Sequence, residues 1–221
     1  LILLPIHDEN PVRRVPWITG LLVATNVAVF GWQLAAGGSA AIGRWGFVPA
    51  NFSALPAAPG HAPTATLLTS MFLHGNLLHL ASNLVYLWVF GNNVEDVLGG
   101  ARYVVFYLLA GLGGHFAHFL TNGASPLPTI GASGAISGIL AAYLIGFPRA
   151  RIRSLLFLFV FLRWVRWPAT VVIGYWLAVQ ILNGAAEIGG AGSGIAWFEH
   201  LGGFAAGGLA FPVLRLGRRR R

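Results

Sequence analysis

Apolar residues in this chain come in long, nearly unbroken runs, rather than in the alternation of a half-buried strand or the one-sided stripe of a surface helix. A helix needs about 20 apolar residues to cross the hydrocarbon core of a bilayer. On that basis six runs are predicted to be membrane-crossing helices, at 17–36, 77–92, 101–121, 130–147, 168–188 and 195–214. The second and fourth are short and are expected to recruit flanking residues. A further apolar stretch, 155–162, is boxed between Arg153 and Arg163. As a helix it would be only ~14 Å long, too short to cross, so it is expected to lie on or dip into the cytoplasmic face. Between the first two spans, residues 37–76 form a long and unusually apolar outer loop containing Trp45, Phe47, Phe52, Leu55, Leu67, Leu68 and Phe72. Such a loop is expected to sit partly in the interface, anchored by Trp45 beside Arg44. The predicted fold class is an all-α membrane protein, a six-helix bundle with a partly membrane-embedded first outer loop. Residues 1–16 are expected to form a short cytoplasmic segment, 17–214 a single transmembrane domain, and 215–221 a basic cytoplasmic tail.

Composition agrees with a membrane solvent. Of 221 residues, 56% are hydrophobic and 9% charged, with a mean hydropathy of +0.71. A soluble domain carries roughly 25% charged residues, so a water-soluble fold is excluded. The 30 glycines follow no Gly-X-Y period and suit close helix packing in lipid. The lack of cysteine removes disulfides, thiolate zinc sites and thiol nucleophiles. All 14 basic residues are arginine, and with six spans 13 of them fall on one side, Arg44 alone on the other. That is the positive-inside signature, with both termini cytoplasmic. The net charge of +8 does not imply nucleic-acid binding, which needs a continuous basic patch. The first span follows Arg13, Arg14 and Pro16 and has no small-residue cleavage site after it, so no cleavable signal peptide is expected.

Polar residues within the spans are few: His79, Asn83, His115, His118, Ser133, Ser137, Asn183 and His200. Intramembrane polar groups are functional candidates by default. At 1.5 Å per helical residue, Ser133 lies about 24 Å from Arg149, His200 about 22 Å from Arg215, and His79 and Asn83 about 24 and 18 Å from Glu95. Four polar groups from three spans thus share a level toward the outer side. These three spans start at the outer face, where helix N-termini offer unpaired N–H groups to a developing oxyanion. Gly131 and Gly134 flank Ser133; Gly134 and Gly138 form a small-xxx-small face on span four, and Gly203 and Gly207 another on span six. If these faces pack, Ser133 and His200 come within hydrogen-bond reach as nucleophile and base. His79 and Asn83, four residues apart, share a helix face and can donate to an oxyanion.

The segments His74-Gly-Asn-Leu-Leu-His79-Leu-Ala-Ser-Asn83 with Gly91 and Glu95, Gly131-Ala-Ser133-Gly134, and Glu199-His200-Leu-Gly-Gly203 resemble the rhomboid family of intramembrane serine proteases. In order and spacing the chain is similar to the six-span bacterial form over nearly its whole length. The resemblance implies a Ser133–His200 dyad without a carboxylate, and an oxyanion hole made by His79, Asn83 and the Ser133 N–H. It also implies a close-approach role for Gly131 and a structural role for Glu95 at the cytoplasmic end of span two. Implied with these are a bacterial inner-membrane location, transmembrane protein substrates, contact with membrane lipids, and no cofactor or metal. Span two and span five would be the gate elements, and a small residue would precede the scissile bond. Three features depart from the family pattern. Ala65-Thr66 stands where many relatives have Trp-Arg, Ser137 stands one turn after the nucleophile where a well-known member has Tyr, and His115 and His118 lie outside the motif. His115 and His118 have the spacing of a metal pair but no carboxylate or thiol partner, so no metal is expected there. A non-catalytic relative that binds transmembrane clients is the alternative, and a His/Asn-based transporter a more distant one, since neither repeated halves nor buried acids are recognisable.

Overall fold

The computed structural model describes residues 2–53, 63–158, 161–188 and 195–216. Strand β1 (Ile2–Asp8) precedes α1 (Trp17–Ala35), and the outer loop folds into α2 (Ser39–Trp45), α3 (Pro49–Ser53), α4 (Pro63–Thr69) and a 3-10 turn over Ser70–Phe72. There follow α5 (Leu77–Leu98), α6 (Gly100–Asn122), α7 (Ser133–Gly146), the strands β2 (Arg151–Leu158) and β3 (Phe161–Pro168), α8 (Ala169–Ile188) and α9 (Trp197–Leu214). The molecule is mostly helical. By length and composition α1, α6 and α8 are apolar enough to cross a membrane, while α7 is a shorter apolar helix.

The first helix shows which solvent the chain is built for. α1 buries Thr19, Asn26 and Gln33, one polar residue every seven, and exposes Trp17, Leu21, Val27 and Leu34. Water would demand the opposite arrangement, whereas lipid rewards apolar groups outward and polar groups paired inside. The pairs are specific. Glu95 at the far end of α5 accepts the N–H groups of Ile18 (3.0 Å) and Thr19 (2.7 Å) and the Thr19 hydroxyl (2.7 Å). α1 begins after Pro16 with no side-chain cap of its own, so Glu95 supplies the acceptor and the negative charge its N-terminus lacks. At the other end, Gln33 donates to the His74 carbonyl (2.7 Å) and accepts from the His74 N–H (3.0 Å), clamping the chain that leads into α5.

Helices α6, α7 and α9 form the close-packed centre. A Cβ on Gly203 would lie 2.7 Å from the carbonyl carbon of Gly134, and one on Gly207 would lie 2.6 Å from the carbonyl oxygen of Gly138. The two small-residue faces therefore meet backbone to backbone, which only glycine allows.

Two expectations need correction. The first is the all-α class: β1, β2 and β3 pair antiparallel in one sheet, in that order. Residues 155–162, expected to lie on or dip into the cytoplasmic face, are strand rather than helix and form the arms of a hairpin, with 159 and 160 outside the described residues. The physical reason is a period of two: Arg151 and Arg153 point out while Ile152 and Ser154 are buried, and β-branched and aromatic residues follow on β3. Residues 1–16 supply the third strand. Its last residue, Asp8, is buried and accepts from Asn93 (2.6 Å) and Tyr143 (2.8 Å), tying the sheet to α5 and α7. The second correction concerns the fourth run, which starts its helix at Ser133 rather than at 130 because Gly131 has φ +123°. Leu55 of the outer loop and the arginines from 218 onward lie outside the described residues.

Candidate active site

Ser133 is the first residue of α7, where no carbonyl four residues back is available to its N–H. Its hydroxyl lies 2.8 Å from Nε2 of His200, one turn into α9. The glycine contacts between α7 and α9 set that distance. Both side chains line a cavity of about 800 Å3, together with His79 and Asn83 from α5, His118 from α6 and Gln180 from α8.

The Gly75 N–H donates to Nδ1 of His79 (3.4 Å), so the neutral ring carries its proton on Nε2. A Cβ on Gly131 would lie 2.9 Å from that Nε2 and 3.6 Å from Ser133 Oγ. Only glycine keeps the space between them clear, and the positive φ of Gly131 requires glycine independently. Asn83, buried on the same face of α5, has an Nδ2 with no hydrogen-bond partner among the described residues. His79, Asn83 and the start of α7 thus line one cavity beside Ser133. An arrangement of this kind can receive a negative oxygen.

Gln180 is missing from the polar span residues read in the sequence, yet its Oε1 sits 2.7 Å from Nδ1 of His200. The sequence signal was available, since Gln180 is as clearly an intramembrane polar residue as Asn183. Asn183 turns out to donate back to the carbonyl of Val179 (2.7 Å) and has no part in the cavity lining. The rings of Trp176 and Trp197 pack around His200, each with its centroid 6.1 Å away. Ser137, one turn after Ser133, donates to the Ser133 carbonyl at 2.6 Å and does not reach the imidazole.

Glu199 adjoins His200 in sequence but points elsewhere, a buried carboxylate 3.3 Å from Nδ1 of His115 without hydrogen-bond alignment. His115 Nε2 is 2.9 Å from the hydroxyl of Ser70, whose carbonyl accepts the Gly131 N–H (2.9 Å). A Cβ on Gly134 would lie 3.0 Å from Glu199 Oε1, so this glycine makes room for a side chain of α9 as well as for the α9 backbone. His115 and His118 diverge: the first joins this buried network, and the second borders the cavity with Asn122 Nδ2 3.4 Å from its Nδ1.

Residues 62–216 match the family model described as the Rhomboid domain. The chain belongs to the rhomboid family. The matched region holds α5 to α9 and both strands of the hairpin, and leaves out β1 and α1. Among similar proteins, the chain is 36% identical over 150 residues to "Rhomboid protease GluP" of Bacillus subtilis, covering 66% of this chain and 26% of that protein. It is 34% identical over 139 residues to the mouse "Presenilin-associated rhomboid-like protein, mitochondrial", covering 60% of this chain and 36% of the relative. It is 28% identical over 159 residues to the Arabidopsis thaliana "RHOMBOID-like protein 5", covering 61% and 52%. The chain therefore spans between about a quarter and half of the length of these rhomboid relatives. Membership of this family and the apolar helices make it an integral membrane protein.

Proposed function

We propose that this rhomboid is an intramembrane serine endopeptidase that cleaves transmembrane segments of membrane proteins near the outer side of the bilayer. The observation that carries the reading is the 2.8 Å contact between Ser133 Oγ and His200 Nε2 at a polar cavity. His200 takes the Ser133 proton as Oγ attacks the scissile carbonyl carbon. The negative oxygen of the tetrahedral intermediate accepts from the Ser133 N–H, Asn83 Nδ2 and His79 Nε2–H. The C–N bond then breaks, and His200 returns the proton to the departing amine. A water, deprotonated by His200, attacks the acyl-enzyme carbonyl, releases the carboxylate product and restores Ser133.

The fold reading that goes with this mechanism has six spans, α1 and α5 to α9, with the outer loop partly in the interface. It is a single membrane domain over 17–214 with both termini on the cytoplasmic side of a bacterial inner membrane. The substrate strand enters between α5 and α8. Ser82 and Tyr86 line the cavity from α5, and Trp176 and Gln180 from α8. Unfolded substrate backbone is tolerated at that depth only in such a polar, protein-lined space.

The test is cleavage of a reporter transmembrane substrate in proteoliposomes, with fluorophosphonate labelling alongside. Wild type should cleave and be labelled, and Ser133→Ala should lose both. Client binding by wild type without cleavage or labelling would instead favour the non-catalytic reading.

A further inference from the structure

We propose that Gln180 is the positioning residue of the general base, a neutral amide standing where Ser–His–Asp enzymes have a carboxylate. The kinetic part of this inference rests on the protease reading, whereas its structural part does not.

Hydrogen-bond direction carries the inference. Gln180 Nε2 lies 3.1 Å from the carbonyl of Trp176, one turn back on α8, and Oε1 lies 2.7 Å from His200 Nδ1. A carbonyl accepts and cannot donate, so the amide nitrogen must face Trp176 and the amide oxygen must face His200. Flipping the amide would set oxygen against oxygen and lose the bond. Because Oε1 only accepts, Nδ1 of His200 carries the proton, and the neutral ring presents the Nε2 lone pair to the Ser133 hydroxyl. Four groups thus form one directed chain: Ser133 O–H to His200, His200 N–H to Gln180, and Gln180 N–H to the α8 backbone. The other tautomer would place a lone pair against Oε1 and an N–H against Oγ, which leaves no acceptor for the Ser133 proton.

No charged group competes for this position among the described residues. Glu199 faces Nδ1 of His115 at 3.3 Å, and the Ser137 hydroxyl donates to the Ser133 carbonyl. Glu187, also on α8, borders the cavity seven residues past Gln180. Across the cavity stand the imidazoles of His79 and His118, while the rings of Trp176 and Trp197 pack against His200. Gln180 is itself buried at 4% exposure, where an amide without partners would be costly.

Gln180→Met keeps length and volume but loses the acceptor, and Gln180→Glu keeps the acceptor and adds charge. Mis-set tautomers in triad enzymes cost up to about 10⁴-fold in kcat, so Gln180→Met should lower kcat by about 10² to 10³ with little change in KM. Gln180→Glu should keep more activity than Gln180→Met. Its acid limb of kcat/KM should move to higher pH, because a carboxylate at Nδ1 favours the imidazolium, the form that cannot accept the Ser133 proton. Nitrogen-15 NMR of histidine-labelled protein, with the His200 signals assigned by loss in His200→Ala, reads the tautomer directly. Wild type should show Nδ1–H, and Gln180→Met should show a mixture or the reverse.

An unprotonated Nδ1 in neutral wild type, an unchanged kcat in Gln180→Met, or an unshifted profile in Gln180→Glu would each overturn the proposal. Should Gln180→Met fail to fold in a thermal melt, the wild-type tautomer and the Gln180→Glu profile still decide. If wild type neither cleaves nor takes up fluorophosphonate, the protease reading fails, and the NMR result still judges the Gln180 chain.

Discussion

Gly131 is where steric limits and chemistry meet most closely. An alanine there is strained by the positive φ, at roughly 1–3 kcal/mol, and its methyl group intrudes on His79 Nε2. Displacing a catalytic group by about 1 Å can cost about 10²-fold in rate. Gly131→Ala should therefore lower cleavage by about that factor while leaving most of the thermal stability, which parallel rate and melting measurements would show. A rate within threefold of wild type would mean that His79 does not need its place beside Ser133. Gln180 shows the opposite kind of residue, plain in the sequence as an intramembrane amide but without meaning until the α8–α9 packing sets it against His200.

Among helices and strands, the α1–α5 joint separates stability from catalysis. Glu95 caps α1 far from the cavity, and removing it leaves the part-buried N–H of Ile18 and the buried N–H of Thr19 without an acceptor. Glu95→Ala should cost about 2 kcal/mol or more, seen as a lower melting temperature in detergent, with kcat at permissive temperature near wild type. A catalytic defect at full stability would contradict a purely structural role. The helices were legible because apolar run length is a strong signal; starts and ends were less so. α7 begins three residues later than its apolar run, at the turn Gly131 makes, and α5 runs six residues past its apolar run, through Asn93, Glu95 and Asp96. Those polar residues stay helical because Asp8, Asn10, the Arg13 N–H and α1 give them partners. The sheet was harder to see. A run of apolar residues between arginines reads equally as a surface-lying segment or as two strands, and its partner β1 is more than 140 residues away in the chain.

For the molecule as a whole, the arginine asymmetry predicts an orientation that can be measured directly, because the chain has no cysteine of its own. Single cysteines replacing Val12 and Leu216, both exposed, should react with a membrane-impermeant thiol reagent only when the cytoplasmic face is open to it. A cysteine replacing Leu127, exposed between α6 and α7, should react only from the other side. Labelling of positions 12 and 216 from opposite sides would refute the six-span topology.

Local chemistry written along the chain was enough to specify the solvent, the main helices and the polar residues that are candidates for the site. Apolar run length, charge placement and glycine spacing act within a few turns and do not depend on distant partners. Which polar groups meet is a different matter, since it depends on contacts between segments 20 to 135 residues apart. Close approach of α7 and α9 brings Ser133 to His200, burial turns Glu199 toward His115, and the facing of α8 supplies Gln180. Each of those outcomes follows from desolvation and packing in three dimensions, where a buried polar group takes whichever partner the fold puts within reach.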